Sequence, residues 1–343
     1  MRVIQVGAGV HGLRWTQWLT DFPKTEIVGL VDVSDEALTA ARKIAKCGTD
    51  ACFSTLDQAI KNTNAEMLVC VTPPEYHKAT IIKALKAGLH VISEKPMADT
   101  ISSCKAIVKT ASETRRRCVI SQNFRYRPAM YTIAELIHKG KIGEIGQIKV
   151  DFYLGFDFGG GFRHEMEYPV IVDMAIHHFD YMRYITGLEP VTVQGVAWNP
   201  KWSNYQGDCS SSLIFEMSNG ARILYNASWG AKGQFSDWNG NWQIEGDKGT
   251  VTYENGHIRL YSVPKLYKVK TEKEIAPKKM TREEQMLVLD NFIRAVTYGI
   301  VPECEVFDNI KSMAMVFAAL KAVKTGKKVP VIDKAFADLL STL

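Results

Sequence analysis

The chain reads as an α/β protein in two parts: an N-terminal doubly wound parallel sheet, then a C-terminal α+β domain with a large, mostly antiparallel open sheet. Three observations predict this. Short apolar runs alternate with helical patterns through residue 121, the rhythm of βαβ units. A glycine-rich turn, Gly7-Ala8-Gly9-Val10-His11-Gly12, joins the first run to the first helix. Beyond it, strand patterns follow one another without regular intervening helices, and Ser218-Asn219-Gly220 and Glu254-Asn255-Gly256 are hairpin signals. The expected domains are 1–121 and 122–343.

Residues 3–6 read as a buried strand that runs straight into the glycine turn and then a helix over 13–22, with Leu13, Trp15, Trp18, Leu19 and Phe22 as its apolar positions. Strand, GxGxxG, helix is the context in which the glycines matter. They permit a tight turn, close approach of a pyrophosphate and close helix–strand packing, the Rossmann arrangement. Phosphates then sit at the helix amino terminus, where free N–H groups favour anions. A second strand, 27–31, ends in Asp32, twenty residues beyond Gly12. A carboxylate at that spacing accepts hydrogen bonds from the adenosine ribose and repels a 2′-phosphate, so NAD is expected in preference to NADP. Within the loop, Val10 and His11 are further cofactor candidates.

Helices over 34–46 and 56–62 follow, then a strand over 67–71. It leads into Thr72-Pro73-Pro74-Glu75-Tyr76-His77, a stiff loop opening a helix over 77–87 that Gly88 closes. The next strand, 89–92, ends in Glu94-Lys95-Pro96. Proline forces its predecessor into extended geometry. Lys95 is thereby held at a strand's carboxyl end, where open α/β sheets place ligands. A helix over 102–114 and a strand over 118–121 complete a sheet expected to have six strands.

In the second domain, strands are expected over 147–156, 191–198, 210–216, 222–229, 241–245, 250–253 and 258–261, with helices over 129–139, 282–299 and 306–325. It also holds Asp173-Met174-Ala175-Ile176-His177-His178-Phe179-Asp180. On one α-helix, Asp173, His177 and Asp180 share a face, and His178 lies about a hundred degrees around. A carboxylate one turn before an imidazole fixes its tautomer and raises its basicity.

Composition excludes several classes. At 46% hydrophobic and 23% charged residues the chain is an ordinary soluble globular protein, and no apolar run approaches the ~20 residues of a membrane span. The first ten residues lack a basic leader and a cleavage site, so they read as strand and turn. Seven cysteines, widely spaced and without a Cys-x-x-Cys pair, argue against a disulfide framework and a thiolate metal site and suit a reducing cytoplasm. The net charge of +5 is mild. Arg115-Arg116-Arg117 follows a helix, where cations complement the macrodipole. The lysines between Lys265 and Lys279 read as a solvated face, and no basic stripe with interleaved aromatics suggests nucleic acid. His164, Glu165, Glu167, His177 and His178 lie within fifteen residues, but their spacing fits no helical metal site, and none is expected.

With these pieces placed, the chain resembles the glucose–fructose oxidoreductase and inositol dehydrogenase family (Gfo/Idh/MocA) over nearly its whole length. The resemblance rests on the glycine turn, Thr72-Pro73-Pro74-x-x-His77, Ala87-Gly88-Leu89-His90-Val91 leading to Glu94-Lys95-Pro96, and Asn123-Phe124-Arg125-Tyr126-Arg127-Pro128. It continues in Asp173-x-x-x-His177-x-x-Asp180 and Glu245-Gly246-x-x-Gly249-Thr250. It implies that Lys95 and His177 contact the reacting hydroxyl, that Asp173 supports His177, and that the proline loop and Glu94 line the cofactor. A frequently cis Lys95–Pro96 bond is also implied. Many members have glycines just before the aspartate. Here Tyr168-Pro169-Val170-Ile171-Val172 stands there and Gly159-Gly160-Gly161 lies upstream, a departure that bears on pocket shape.

The implied reaction moves a hydride between a secondary hydroxyl and NAD, and a base takes the hydroxyl proton. Lysine titrates near ~10.4 and histidine near ~6.5, so His177 is the expected acceptor, with Lys95 polarising the same oxygen. Asn123, Arg163 and His164 are candidate hydroxyl contacts. The expected substrate is a sugar or cyclitol. Five of the seven tryptophans (198, 202, 229, 238, 242) lie in the second domain, able to stack on a sugar or to fill the core. A homodimer or homotetramer through the C-terminal sheet follows from the resemblance. Competing readings are an NAD-dependent glycosidase or epimerase that oxidises its sugar transiently, and a non-catalytic NAD-binding regulator.

Overall fold

A computed structural model describes residues 1–341, apart from 264, 266, 267, 269 and 270. The chain forms two compact units. The first comprises residues 1–123 and 284–313, and the second comprises 124–283 and 314–341.

The first unit holds a six-stranded parallel sheet in the order β3-β2-β1-β4-β5-β6. Its strands are β1 (Arg2–Val6), β2 (Glu26–Val31), β3 (Cys52–Phe53), β4 (Met67–Cys70), β5 (His90–Ser93) and β6 (Cys118–Ile120). The helices between them are α1 (Val10–Asp21), α2 (Asp35–Ala45), α3 (Leu56–Asn62), α4 (Pro74–Lys86) and α5 (Ile101–Thr114). Val3, Ile4, Leu68, Val69, Val91 and Ile92 are fully buried, as strands covered on both faces require. Helix starts follow their caps. Ser34, Thr55 and Thr100 each accept the backbone N–H three residues on, and Gly88 adopts the left-handed conformation (φ +85) that ends the segment after α4. Helix α1 begins at Val10 instead of Leu13, so Gly12 lies inside its first turn. The sixth strand is β3, two residues that no apolar run announces.

Residues 284–313 return to this unit as α9 (Glu284–Tyr298) and the start of α10 (Val306–Thr325). The connecting loop extends the sheet edge: Ile120 N–H donates to Cys304 O at 3.0 Å, and Val119 bridges to Glu305.

The second unit carries a nine-stranded sheet in the order β14-β13-β12-β11-β7-β10-β9-β8-β15. These are β7 (Ile145–Tyr153), β8 (Pro190–Trp198), β9 (Ser210–Met217), β10 (Arg222–Ser228), β11 (Asn241–Gly246), β12 (Gly249–Glu254), β13 (His257–Ser262), β14 (Thr271–Ile275) and β15 (Val329–Pro330). Among the described residues, only β7 and β10 pair in parallel in this sheet. Alternation on β7 puts Ile148, Val150 and Phe152 inside and leaves Gln147, Lys149 and Tyr153 outside. The unit's helices are α6 (Pro128–His138), α7 (Phe162–Glu165), α8 (Ala175–Thr186), the remainder of α10, and α11 (Lys334–Ser341). Among the described residues no helix is long and apolar enough to cross a membrane. Of the lysine-rich stretch 265–279, residues 266, 267, 269 and 270 lie outside the described residues, and Lys265 and Lys268 are exposed.

Candidate active site

In the first unit, the residues expected to hold the cofactor gather at the carboxyl ends of the strands. Gly7 follows β1, Asp32 follows β2, Thr72-Pro73-Pro74 follows β4, Glu94-Lys95-Pro96 follows β5, and Asn123 lies just beyond β6. The strand order reverses between β1 and β4, the switch point where such sheets bind ligands.

The glycine turn passes a steric test for a dinucleotide. Gly7 has φ +95, and a Cβ there would lie 2.6 Å from Val71 O. A Cβ at Gly12 would lie 2.3 Å from Gly7 O, so only glycine permits this turn and helix to pack so closely. Around Gly9 nothing lies within 4 Å of a Cβ position, which leaves the backbone open to a phosphate. Neighbouring Val10 is exposed at the head of α1. Asp32 accepts Ala8 N–H at 2.6 Å and Ser34 N–H at 2.9 Å, one on each oxygen. A carboxylate has about four acceptor sites, so capacity remains for ribose hydroxyls.

Glu94 is buried and accepts the indole N–H of Trp15 at 2.8 Å, while His11 Nε2 stands 3.1 Å from the same oxygen. Its other oxygen accepts Lys95 N–H at 3.2 Å. Burial pushes the Glu94 carboxyl up, but the His11 and Trp15 donors and the Lys95 charge outweigh it and hold the group below the usual carboxylate range. Trp15 is a participant the sequence reading placed only in the core, because its partner lies 79 residues away. The Lys95–Pro96 bond is cis. His77 ties two of the loops together: its ring nitrogens lie 2.8 Å from Pro96 O and 2.7 Å from Thr72 O. Pro73 caps α4 and Pro74 is its first residue, where a missing N–H costs nothing. Asn123 donates to Glu284 Oε2 at 3.1 Å.

In the second unit, His177 lies on α8 and stacks on Phe124, ring centroids 4.0 Å apart at 15°. The continuous helix expected over 173–180 is interrupted. Asp173 belongs to a π-helical turn, Val170–Met174, headed by Pro169, so its setting relative to His177 is not the α-helical four-residue step. Asp173 accepts Arg163 Nε–H at 2.6 Å. Asp180 pairs instead with Arg125, whose Nε and Nη2 donate to its two oxygens at 2.5 and 2.7 Å, both residues being buried.

Arg163 and His164 sit on α7, and the Arg163 guanidinium also lies over the rings of Phe158 and Phe162. His164 is stacked on Tyr205 at 4.7 Å and 9°, with Nε2 3.1 Å from Asp157 Oδ1. Trp229 and Trp242 are core residues, whereas Trp198, Trp202 and Trp238 are exposed.

His178 is a structural imidazole. Tyr225 OH lies 3.0 Å from Nδ1, and Nε2 lies 3.3 Å from Trp238 O, so the neutral ring donates through Nε2 and accepts at Nδ1. Burial is the main cause that brings its pKa down to about 3; Arg127 adds to the fall and the Trp238 bond opposes it. The unfolded chain, with a histidine near ~6.5, takes up a proton that the folded one refuses between those values. Stability is therefore expected to fall on acidification through that window, by up to ~1.4 kcal/mol per pH unit from this group. Urea unfolding from pH 7 to 4.5 should show a decline shallower by about one proton in His178→Asn. Equal slopes would contradict the assignment.

Two family models match the chain: an oxidoreductase family's NAD-binding Rossmann fold over residues 1–122 and its C-terminal alpha/beta domain over residues 134–331. Protein y4oX of Sinorhizobium fredii is 27% identical over 96% of this chain and 95% of its own. Inositol 2-dehydrogenase of Rhizobium meliloti is 26% identical over 88% and 91%. The crystal structure of an oxidoreductase from Agrobacterium radiobacter in complex with NAD+, L-tartaric acid and magnesium superposes with a TM-score of 0.87 at 19% identity, covering 96% of this chain and 98% of that one. With both domain models matched in order, the chain belongs to the Gfo/Idh/MocA oxidoreductase family.

Proposed function

We propose that the protein is an NAD-dependent dehydrogenase acting on a secondary hydroxyl of a sugar or cyclitol, with Lys95 and His177 as its proton-transfer pair. The observation that supports this most is the placing of an amine, Lys95, at the carboxyl end of β5, on the same sheet edge as the glycine turn and Asp32. NAD, when bound, supplies the hydride acceptor. Gly7, Gly9, Val10, His11 and Gly12 receive the pyrophosphate, and Asp32 takes the ribose and disfavours a 2′-phosphate. The Thr72-Pro73-Pro74 loop with His77, Glu94, Pro96 and Asn123 lines the remainder. His177 accepts the hydroxyl proton, and Lys95 donates a hydrogen bond that steadies the developing alkoxide. Asp173, bound to Arg163, orients the imidazole, and Asn123, Arg163 and His164 contact the other hydroxyls.

The relatives' inositol activity supports a polyol substrate. The seven cysteines are free, which suits the cytoplasm. The solvent-side residues of the nine-stranded sheet include Val196 and Ile214, both exposed, and we assign that face to a homodimer or homotetramer.

The test is an NADH-fluorescence screen of purified protein against inositols, aldoses, anhydrosugars and glycosides, run with NAD and with NADP. NADH formation from a cyclitol or aldose is expected, with NAD preferred. Glycoside cleavage without net NADH would replace this reading by transient oxidation, and failure to bind either dinucleotide would overturn it.

A further inference from the structure

The first unit carries a second concave site, at the amino ends of β5 and β6. That is the sheet edge opposite Glu94, Lys95 and Asn123. A recess of about 460 Å³ opens there, within the size range of small-ligand pockets. Its lining includes His90, Arg115, Arg116, Arg117 and Glu305, with Ala295, Val296 and Phe307 as its apolar part. The helix-end explanation of the three arginines accounts for one of them at most. Arg115 is the C-cap of α5, in the left-handed conformation, and the other two lie beyond the helix.

The charges facing the recess do not balance. Arg117 is engaged: Nη1 donates to Glu305 at 3.1 Å and Nη2 donates to Gly299 O at 3.2 Å, clamping the loop before α10. That pairing uses the recess's one carboxylate. Among the described residues no carboxylate pairs with Arg115 or Arg116, both exposed. His90 Nδ1 accepts Arg117 N–H at 3.0 Å, which puts the imidazole hydrogen on Nε2 and makes the ring a donor. Two uncompensated guanidiniums and an imidazole donor in a partly apolar recess match a dianion with oxygen acceptors. We propose that this recess binds a dianionic phosphate, free or as a phosphate ester.

His90 reports on the occupant. Burial lowers its pKa first, then the Arg116 and Arg117 charges, with Glu66 opposing. A phosphate beside those arginines offsets their field, so the His90 titration moves upward.

Calorimetry on the full chain, with NADH present to fill the glycine turn, tests the site using inorganic phosphate and glucose 6-phosphate, with glucose as control. Saturable binding of at least one phosphate is expected, weakened tenfold or more in Arg115→Gln/Arg116→Gln. Tighter binding of the ester identifies phosphate esters as the source, and equal or weaker binding identifies free phosphate. Non-saturating heats, or unchanged affinity in the variant, would overturn the proposal. The His90 ring-proton shift, followed against pH, reads the recess locally whether or not NADH binds. Its midpoint should rise with phosphate in the wild type and stay put in the variant, and an unmoved midpoint in the wild type would also overturn the proposal.

Discussion

Lys95→Ala and His177→Ala are each expected to keep NAD binding while losing at least about a hundredfold in turnover. The expectation follows from where binding and chemistry reside. The glycine turn and Asp32 involve neither side chain, and the Glu94 carboxylate keeps its His11 and Trp15 partners when the Lys95 charge beside it is removed. In the proposed chemistry, removing the amine takes away a donor to the reacting oxygen, and removing the imidazole takes away the proton's destination. His177→Ala also deletes a ring stacked on Phe124, so His177→Gln, nearer in size, separates packing from proton transfer. NADH fluorescence titration and steady-state rates, taken on the same preparations, give both readings. Near-normal turnover in either variant would remove that residue from the chemistry.

The largest stability effect is expected at Asp180. Its bidentate pair with Arg125 is buried, and the guanidinium also lies over Tyr184 with its carbon 4.8 Å from the ring centre. Asp180→Asn leaves that buried cation beside a neutral amide, which typically costs about 3–5 kcal/mol. The double replacement Arg125→Met/Asp180→Leu removes both charges and should recover much of the loss. Urea unfolding monitored by the second unit's tryptophans measures this. A single variant within about 1 kcal/mol of the wild type would show that the pair is incidental.

Much of the candidate site's geometry was legible in the sequence because it is local. The glycine turn must be glycine for steric reasons that act within a few residues or against the adjoining strand, and Pro96 constrains Lys95 directly. Asp32 is placed by the length of one strand–helix–strand step. What could not be read depends on distance along the chain or on weak local signals. Strand β3 consists of Cys52 and Phe53 held by β2, and β14 reads Thr-Glu-Lys-Glu-Ile, a charged edge strand without an apolar face. The π-helical turn at Val170–Met174 looks like ordinary helix in its pattern of residues. Asp180 was grouped with His177 by helical spacing, yet its partner is 55 residues upstream. Likewise, nothing near Asn123 announces that Glu284 receives its amide hydrogen.

The return of residues 284–313 to the first unit also sets an order of events during synthesis. Roughly the first 120 residues leave the ribosome with β6 still lacking the strand-like segment around Cys304 and Glu305 that covers its outer edge. That covering arrives only after the whole nine-stranded sheet except β15 has been translated. A nascent chain thus carries an open, apolar sheet margin through most of its elongation, the state in which strand edges find wrong partners. The dinucleotide lobe is the first to begin and among the last to be finished.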